Sequence, residues 1–164
     1  MKISGVDIRP GNILEYEGGI CESWSFEKEG ATVVLKVRQG VKFPNGRPVD
    51  ANTLKYMFDR CVGSPGYMRI VYPLLTRVSE ASRFVVRDPY TIAMEMPAPT
   101  PLALEILSLL TNSVIDPEEV KSHGTAADPW AAEWMKRNTA GLGPYRLVKN
   151  EPGSEVVDLA GGRR

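Results

Sequence analysis

The stretch that most restricts the fold is residues 22–58, where a strand, a charged turn, a second strand, a proline-punctuated loop and a capped helix follow one another. In the second strand Val33, Leu35 and Val37 share one face and Thr32, Val34, Lys36 and Arg38 the other, the period of two that a half-buried sheet imposes. Trp24 and Phe26 alternate with Ser23 and Ser25 in the same way. Glu27-Lys28-Glu29-Gly30 between the strands offers charge for solvent and a glycine for positive φ, so an antiparallel hairpin is expected. Pro44 and Pro48 fix φ on either side of the tight-turn pair Asn45-Gly46, which stiffens the passage from sheet to helix. Asp50 can accept from the free N–H groups of the helix after it. There Leu54, Phe58, Cys61 and Val62 recur at three- and four-residue spacing, the stripe of a packed helix.

This succession, E-S-W-x-F, a four-residue charged turn, a strand, x-x-G-V-K-F-x-x-G-x-P-x-x-A and a helix, closely resembles the signature of the bacterial extracellular solute-binding proteins of family 5. Those proteins serve peptide, dipeptide and nickel ABC importers. The residues that carry the resemblance are Glu22, Ser23, Trp24, Gly40, Val41, Lys42, Phe43, Gly46, Pro48 and Ala51. Pro44-Asn45 stands where the family usually has a polar pair and Asp50 where a threonine cap is common; both substitutes suit a turn and a cap. The resemblance implies structural roles for Trp24, Phe43, Gly46, Gly143 and Tyr145, and the capping reading gives one to Asp50. It also implies that Tyr67, near Ser64-Pro65, lies where relatives can turn a side chain toward a peptide. Packing on the domain's own surface is the equally open alternative for Tyr67.

The chain has 164 residues, 43% of them hydrophobic and 24% charged. That is enough for one domain with a real core. No uninterrupted apolar run is long enough to span a bilayer, so membrane insertion is not expected. Twenty basic residues balance twenty acidic ones, which leaves no global field to hold nucleic acid. Residues 31–60 carry six Lys/Arg against two Asp/Glu, and this reads as a solvated face. Residues 1–7 lack a hydrophobic core and a small-residue cleavage site and do not read as a signal peptide. A periplasmic or extracellular location is therefore implied by the family resemblance alone. Cys21 and Cys61 permit at most one disulfide, and Cys61 reads as a buried thiol on its helix's apolar face.

Residues 1–21 follow another pattern. Met1-Lys2-Ile3-Ser4, Asp7-Ile8-Arg9-Pro10-Gly11-Asn12, Leu14-Glu15 and Gly18-Gly19 resemble the opening of elongation factor P, a likeness that ends at Cys21 because that factor's lysine- and glycine-rich loop is absent. They read as a leader, unable to bury a core alone, that adds one strand over residues 12–16 and turns at Gly18-Gly19 onto the first hairpin. Tyr16-Glu17-Gly18 can equally be the remnant of a Y-E-G-L segment that precedes this point in solute-binding proteins.

Beyond the first helix, residues 63–67 form a breaker cluster, and residues 68–75 are apolar but interrupted by Pro73. Residues 83–87 and 91–96 flank Asp88-Pro89-Tyr90 as a second hairpin, its wording again resembling the family. Pro97, Pro99 and Pro101 stop that strand and start a helix whose expected apolar face is Leu102, Ile106, Leu109 and Leu110, widened by Leu104 and Leu107. Asp116-Pro117-Glu118-Glu119 reads as a cap and first turn, and Asp128-Pro129-Trp130 as the opening of a helix of the same design running to Asn138. Gly141-Leu142-Gly143-Pro144-Tyr145 resembles the family's return into a strand, with Leu142 in place of threonine. Residues 161–164 look like a tail.

No catalytic or cofactor motif emerges. Gly141 and Gly143 lead into Pro144 and a strand, not a nucleotide-binding helix, and one histidine with two distant cysteines offers no metal cluster. Ser122-His123 are neighbours on a helix and point apart. The expected fold is α/β of the α+β kind: an antiparallel sheet of hairpins covered by several helices, resembling the small subdomain of a periplasmic binding protein-like II lobe over residues 22–160. The resemblance implies a small peptide or related solute and an ABC permease as partners. A homodimer of the isolated chain, a recombined chimera without ligand function and a translation-factor-related fragment remain as alternatives.

Overall fold

The computed structural model describes residues 6–8, 16–108, 113–143, 145–151 and 155–160. Its centre is a four-stranded antiparallel sheet made of β3 (Cys21–Glu27), β4 (Thr32–Val37), β5 (Phe84–Asp88) and β6 (Thr91–Glu95), in the order β3-β4-β6-β5. Both expected hairpins are present, joined by the β4–β6 ladder, in which Leu35 faces Ile92 and Val33 faces Met94. Helix α1 (Ala51–Gly63) packs on this face, followed by α2 (Met68–Thr76) and α3 (Ala103–Ser108). Two short helices, α4 (Pro117–Ser122) and α5 (Ala132–Met135), follow.

The passage from sheet to helix is built as the sequence implies. Gly46 takes φ +88 and its N–H donates to the Phe43 carbonyl at 2.9 Å, while Phe43 N–H donates to the Arg47 carbonyl at 2.8 Å. At the start of α1, Asp50 Oδ1 accepts from Thr53 N–H at 2.8 Å and Thr53 Oγ1 accepts from Asp50 N–H at 3.3 Å, a reciprocal capping box. The Ala51 N–H donates at 2.8 Å to the Pro89 carbonyl, in the tip of the second hairpin. Helix start and hairpin tip therefore hold each other.

Three rings fasten α1, α2 and β5 together: Phe58 stacks on Phe84 with centroids 4.9 Å apart, and Tyr72 meets both edge-on at 6.4 and 5.9 Å. Leu35, Phe58 and Phe43 belong to one continuous core, and half-buried Trp24 packs against it. The indole hairpin and the capped helix fold as one unit.

The outer sheet face is better covered than alternation predicts, since Thr32, Val34, Thr91 and Ala93 are buried there. Their cover is charged. Glu27 and Arg87 stand on the two edge strands, and their bidentate pair, at 2.7 and 2.8 Å, must cross β4 and β6. Lys28 pairs with Glu95 at 3.3 Å, and Lys36 donates to Thr91 Oγ1 at 2.7 Å. The long stems of such side chains shield small apolar neighbours from water.

Several expectations need correction. The leader's strand is β2 (Tyr16–Gly18), paired with β1 (Val6–Ile8) in a separate two-stranded sheet and not in a ladder with β3; residues 12–15 lie outside those described. Phe26 is 49% exposed because β3 is an edge strand. The first hairpin's turn places Lys28, Glu29 and Gly30 all at positive φ, not glycine alone. Pro73 lies inside α2, which ends three residues later at Thr76 and is capped by left-handed Arg77. In α3 the buried residues are Ala103, Ile106 and Leu107, whereas Leu102, before its first turn, is exposed; Leu109 and Leu110 are not among the described residues. Helix α5 starts at Ala132 and has four residues, because Trp130 is drawn to α1, where a Cβ on Gly63 would stand 2.8 Å from its ring. Strand β7 (Tyr145–Glu151) forms a hairpin with β8 (Glu155–Ala160), a pairing not anticipated. The expected tail, 161–164, lies outside the described residues.

Phe58→Ala is expected to lower stability by about 3–5 kcal/mol, as large-to-small changes in aromatic cores do. Asp50→Ala is expected to cost about 1 kcal/mol through the lost cap. Urea unfolding followed by circular dichroism measures both, and equal costs would contradict the packing described.

Candidate functional site

The chemistry-bearing residues fall into a structural network and an exposed face. The network centres on Asp116, 2% exposed at the start of α4. Its Oδ2 accepts from Asn45 Nδ2 at 2.6 Å and Arg47 Nη1 at 2.9 Å, and its Oδ1 accepts from the N–H groups of Glu118 at 3.0 Å and Glu119 at 3.3 Å. Burial opposes its ionisation, but the bonds from Asn45, Arg47 and the helix N–H groups prevail and hold the carboxyl below its ordinary range. One carboxylate thus ties the proline loop to a helix roughly seventy residues away along the chain.

Ser122 and His123 do not form a catalytic pair: the Ser122 hydroxyl donates to the Glu119 carbonyl at 2.7 Å, and His123 stacks on Trp134 at 4.1 Å. Burial pushes the Cys21 and Cys61 thiols up to about 12, and the two are not joined in a disulfide. Among the described residues no group of three or more His, Cys, Asp or Glu side chains could hold a metal ion. No described helix is long and apolar enough to cross a membrane.

The exposed face lies on α2. After Gly66, at φ +152, Tyr67 caps the helix with its carbonyl accepting from Ile70 and Val71, and its side chain is 69% exposed. Ile70 (69%) and Leu74 (74%) follow at helical spacing on the same side. Met68, Val71, Tyr72 and Thr76 face the core. Leu74 then forms one wall of a groove of about 270 Å³, shared with Leu75, Arg77, Pro99 and Leu102. Sequence reasoning singled out Tyr67 but missed Ile70, Leu74 and Leu102. The available signal was apolar spacing on both sides of a short helix, which leaves one side without cover.

The remaining residues singled out from the sequence are spread through the scaffold. Trp24 and Phe43 line the core, Gly46 and Asp50 shape the corner before α1, and Gly143 precedes β7, whose first residue is Tyr145. None of them stands at the α2 face.

An antiparallel sheet of two hairpins with a capped helix closing its corner and further helices on one face is a fold of the periplasmic binding protein-like II kind. The chain belongs to the bacterial extracellular solute-binding proteins, family 5; the model of that family's middle part matches residues 15–160. It is 26% identical over 143 residues to the probable D,D-dipeptide-binding periplasmic protein of Escherichia coli, covering 87% of this chain and 26% of that protein. To the glutathione-binding protein of Salmonella paratyphi A it is 25% identical over 134 residues, 82% of this chain and 24% of that one. It therefore spans about a quarter of those relatives. A third similarity, 26% over 152 residues, is to elongation factor P of Rhizorhabdus wittichii, covering 79% of this chain and 80% of that protein. That likeness runs well past Cys21; at this identity it assigns no second family.

Among solved structures, the fold is shared with the binding protein MoaA of A. tumefaciens in complex with mannopinic acid (TM-score 0.78, 19% identity, 98% of this chain and 31% of that one). It is shared also with DppA of Helicobacter pylori in complex with the peptide STSA (TM-score 0.72, 19% identity, 98% and 33%).

Asp116→Asn is expected to cost about 1–3 kcal/mol at neutral pH. A depressed carboxyl pKa adds stability above the ordinary carboxylate value, about 4, that is lost as pH falls through the lower folded value. Unfolding midpoints between pH 7 and 2 should therefore decline less steeply in the variant than in the parent.

Proposed function

We propose that this chain supplies the ligand-facing part of one lobe of a solute-binding protein for peptides or related small solutes. The observation that carries this reading is the exposed aromatic and aliphatic face that begins at Tyr67. Its chemistry suits contact with a solute: a ring, two branched aliphatic side chains and nearby arginines. The names of the dipeptide- and glutathione-binding relatives support a small peptide-like solute.

Alone, the chain binds such a solute weakly or not at all. Small-molecule sites bury about 70–90% of their ligand, and the α2 face offers one wall. In this reading a second lobe closes over the solute, removes it from water and presents a closed shape to an ABC permease. The protein acts outside the cytoplasm, as the name of its periplasmic relative suggests. Residues 1–21 act as a leader, 22–160 as the subdomain proper and 161–164 as a tail. The chain works by contact and not by catalysis. Self-association, which the sequence leaves open as an alternative, has a specific candidate in this same face.

A second reading, a translation-factor relative, is favoured by one observation, the 26% identity to an elongation factor P across 79% of the chain. Co-sedimentation with ribosomes separates the two, since a solute-binding subdomain stays in the supernatant.

Calorimetry of the chain with di- to pentapeptides is expected to give no saturable heat below roughly millimolar concentration, the range where only about 4 kcal/mol of binding free energy is available. Micromolar affinity would refute the single-wall reading. Where weak peptide contacts appear by NMR, Tyr67→Ala is expected to remove them with the circular dichroism spectrum unchanged.

A further inference from the structure

Exposed apolar side chains are concentrated on this protein. Of the six large hydrophobic residues standing well out of the described surface, Tyr67, Ile70 and Leu74 share one side of α2, and Leu102 lines the same groove as Leu74. Tyr67 projects at one end of the band. The groove opens at the other end, seven residues along the helix, or about 10 Å at 1.5 Å per residue. A projecting ring and a receiving groove on one face are self-complementary under a twofold rotation, which carries each ring to the other copy's groove.

We propose that this face is the interface of a twofold homodimer, with Tyr67 of each copy seated in the groove of the other and the two Ile70 side chains meeting near the axis. The exposed parts of Tyr67, Ile70, Leu74 and Leu102 amount to on the order of 500 Å² per copy, at the upper end of what a monomer usually shows. Pairing two copies removes about 1,000 Å² from these side chains alone, and the rim brings the contact to the roughly 1,200 Å² where specific interfaces begin. Charge agrees with the seating: Arg77 lines the groove that receives the ring, and a guanidinium is attracted to the face of an aromatic ring. Residues 64–79, which hold α2, carry two arginines, Arg69 and Arg77, and no acidic residue. The two rims therefore repel weakly, and salt, which screens that repulsion, strengthens association. Tyr67 also belongs to the proposed ligand face, so the two uses exclude each other, but the dimer does not depend on the ligand reading.

The test is light scattering of the full chain across about 5–200 µM, which reads dissociation constants in the micromolar range. The expected result is a shift toward twice the 18.1 kDa chain mass, larger at higher salt. Ile70→Glu and Leu74→Glu should each weaken association at least tenfold with unchanged circular dichroism, because both side chains are solvent-facing in the single chain. Ile70→Cys should cross-link to its own copy under mild oxidation at pH 8, where the buried Cys21 and half-buried Cys61, both pushed up to about 12, offer little thiolate. A monomer at the highest concentration would overturn the proposal. So would a dimer that survives Leu74→Glu and leaves Ile70→Cys uncross-linked, since association then uses another face. A monomer whose Tyr67 environment changes only when peptide is added would likewise overturn it and assign the face to ligand.

Discussion

The contact of Phe58, Tyr72 and Phe84 is the point on which the rest of the fold closes. It joins the first helix, the second helix and an edge strand of the sheet through rings that are all fully buried. Close packing of this kind tolerates little displacement. The elements it fixes include α2, whose inner side carries Tyr72 and whose outer side carries Tyr67, Ile70 and Leu74. The exposed face is rigid because its other side is anchored in the core, and a rigid surface loses less entropy on meeting a partner than a mobile one.

Around that centre the connections are made by polar groups acting over long sequence distances. Asp116 binds the loop before α1, and the Pro89 carbonyl accepts the first N–H of α1. Each of these groups would be costly if buried without a partner. The corner can therefore close in few ways, and the proline-bounded loop is held at both ends.

Much of this was legible in the sequence where the signal is local. Alternation at Val33, Leu35 and Val37, the Asn45-Gly46 turn, the Asp50 cap and the Asp116-Pro117 helix start each depend on residues within one or two turns of one another. What was missed depends on distant partners. Nothing near Tyr16 indicates that it pairs with Ile8 rather than joining the main sheet. Trp130 leaves the expected helix because Gly63, on another element, makes room for its ring. Val34 and Thr32 lie buried on a nominally polar face because charged side chains from both sheet edges lie across them. At the candidate site, the family resemblance drew attention to Tyr67, while the band it heads needed the geometry of α2: periodicity shows that a helix has two apolar sides without saying which one the core takes.

The tip of the first hairpin has a consequence for altering this protein. Lys28 and Glu29 both occupy the left-handed region at φ +51 and +57, ahead of Gly30 at φ +92. Side chains with a Cβ adopt that backbone at a disadvantage. Lys28 is engaged with Glu95 across the sheet, which leaves the neighbouring position as the one to relax. An asparagine or glycine in place of Glu29 would ease the turn without disturbing the strands, and would make this peripheral corner a handle for hardening the scaffold against heat.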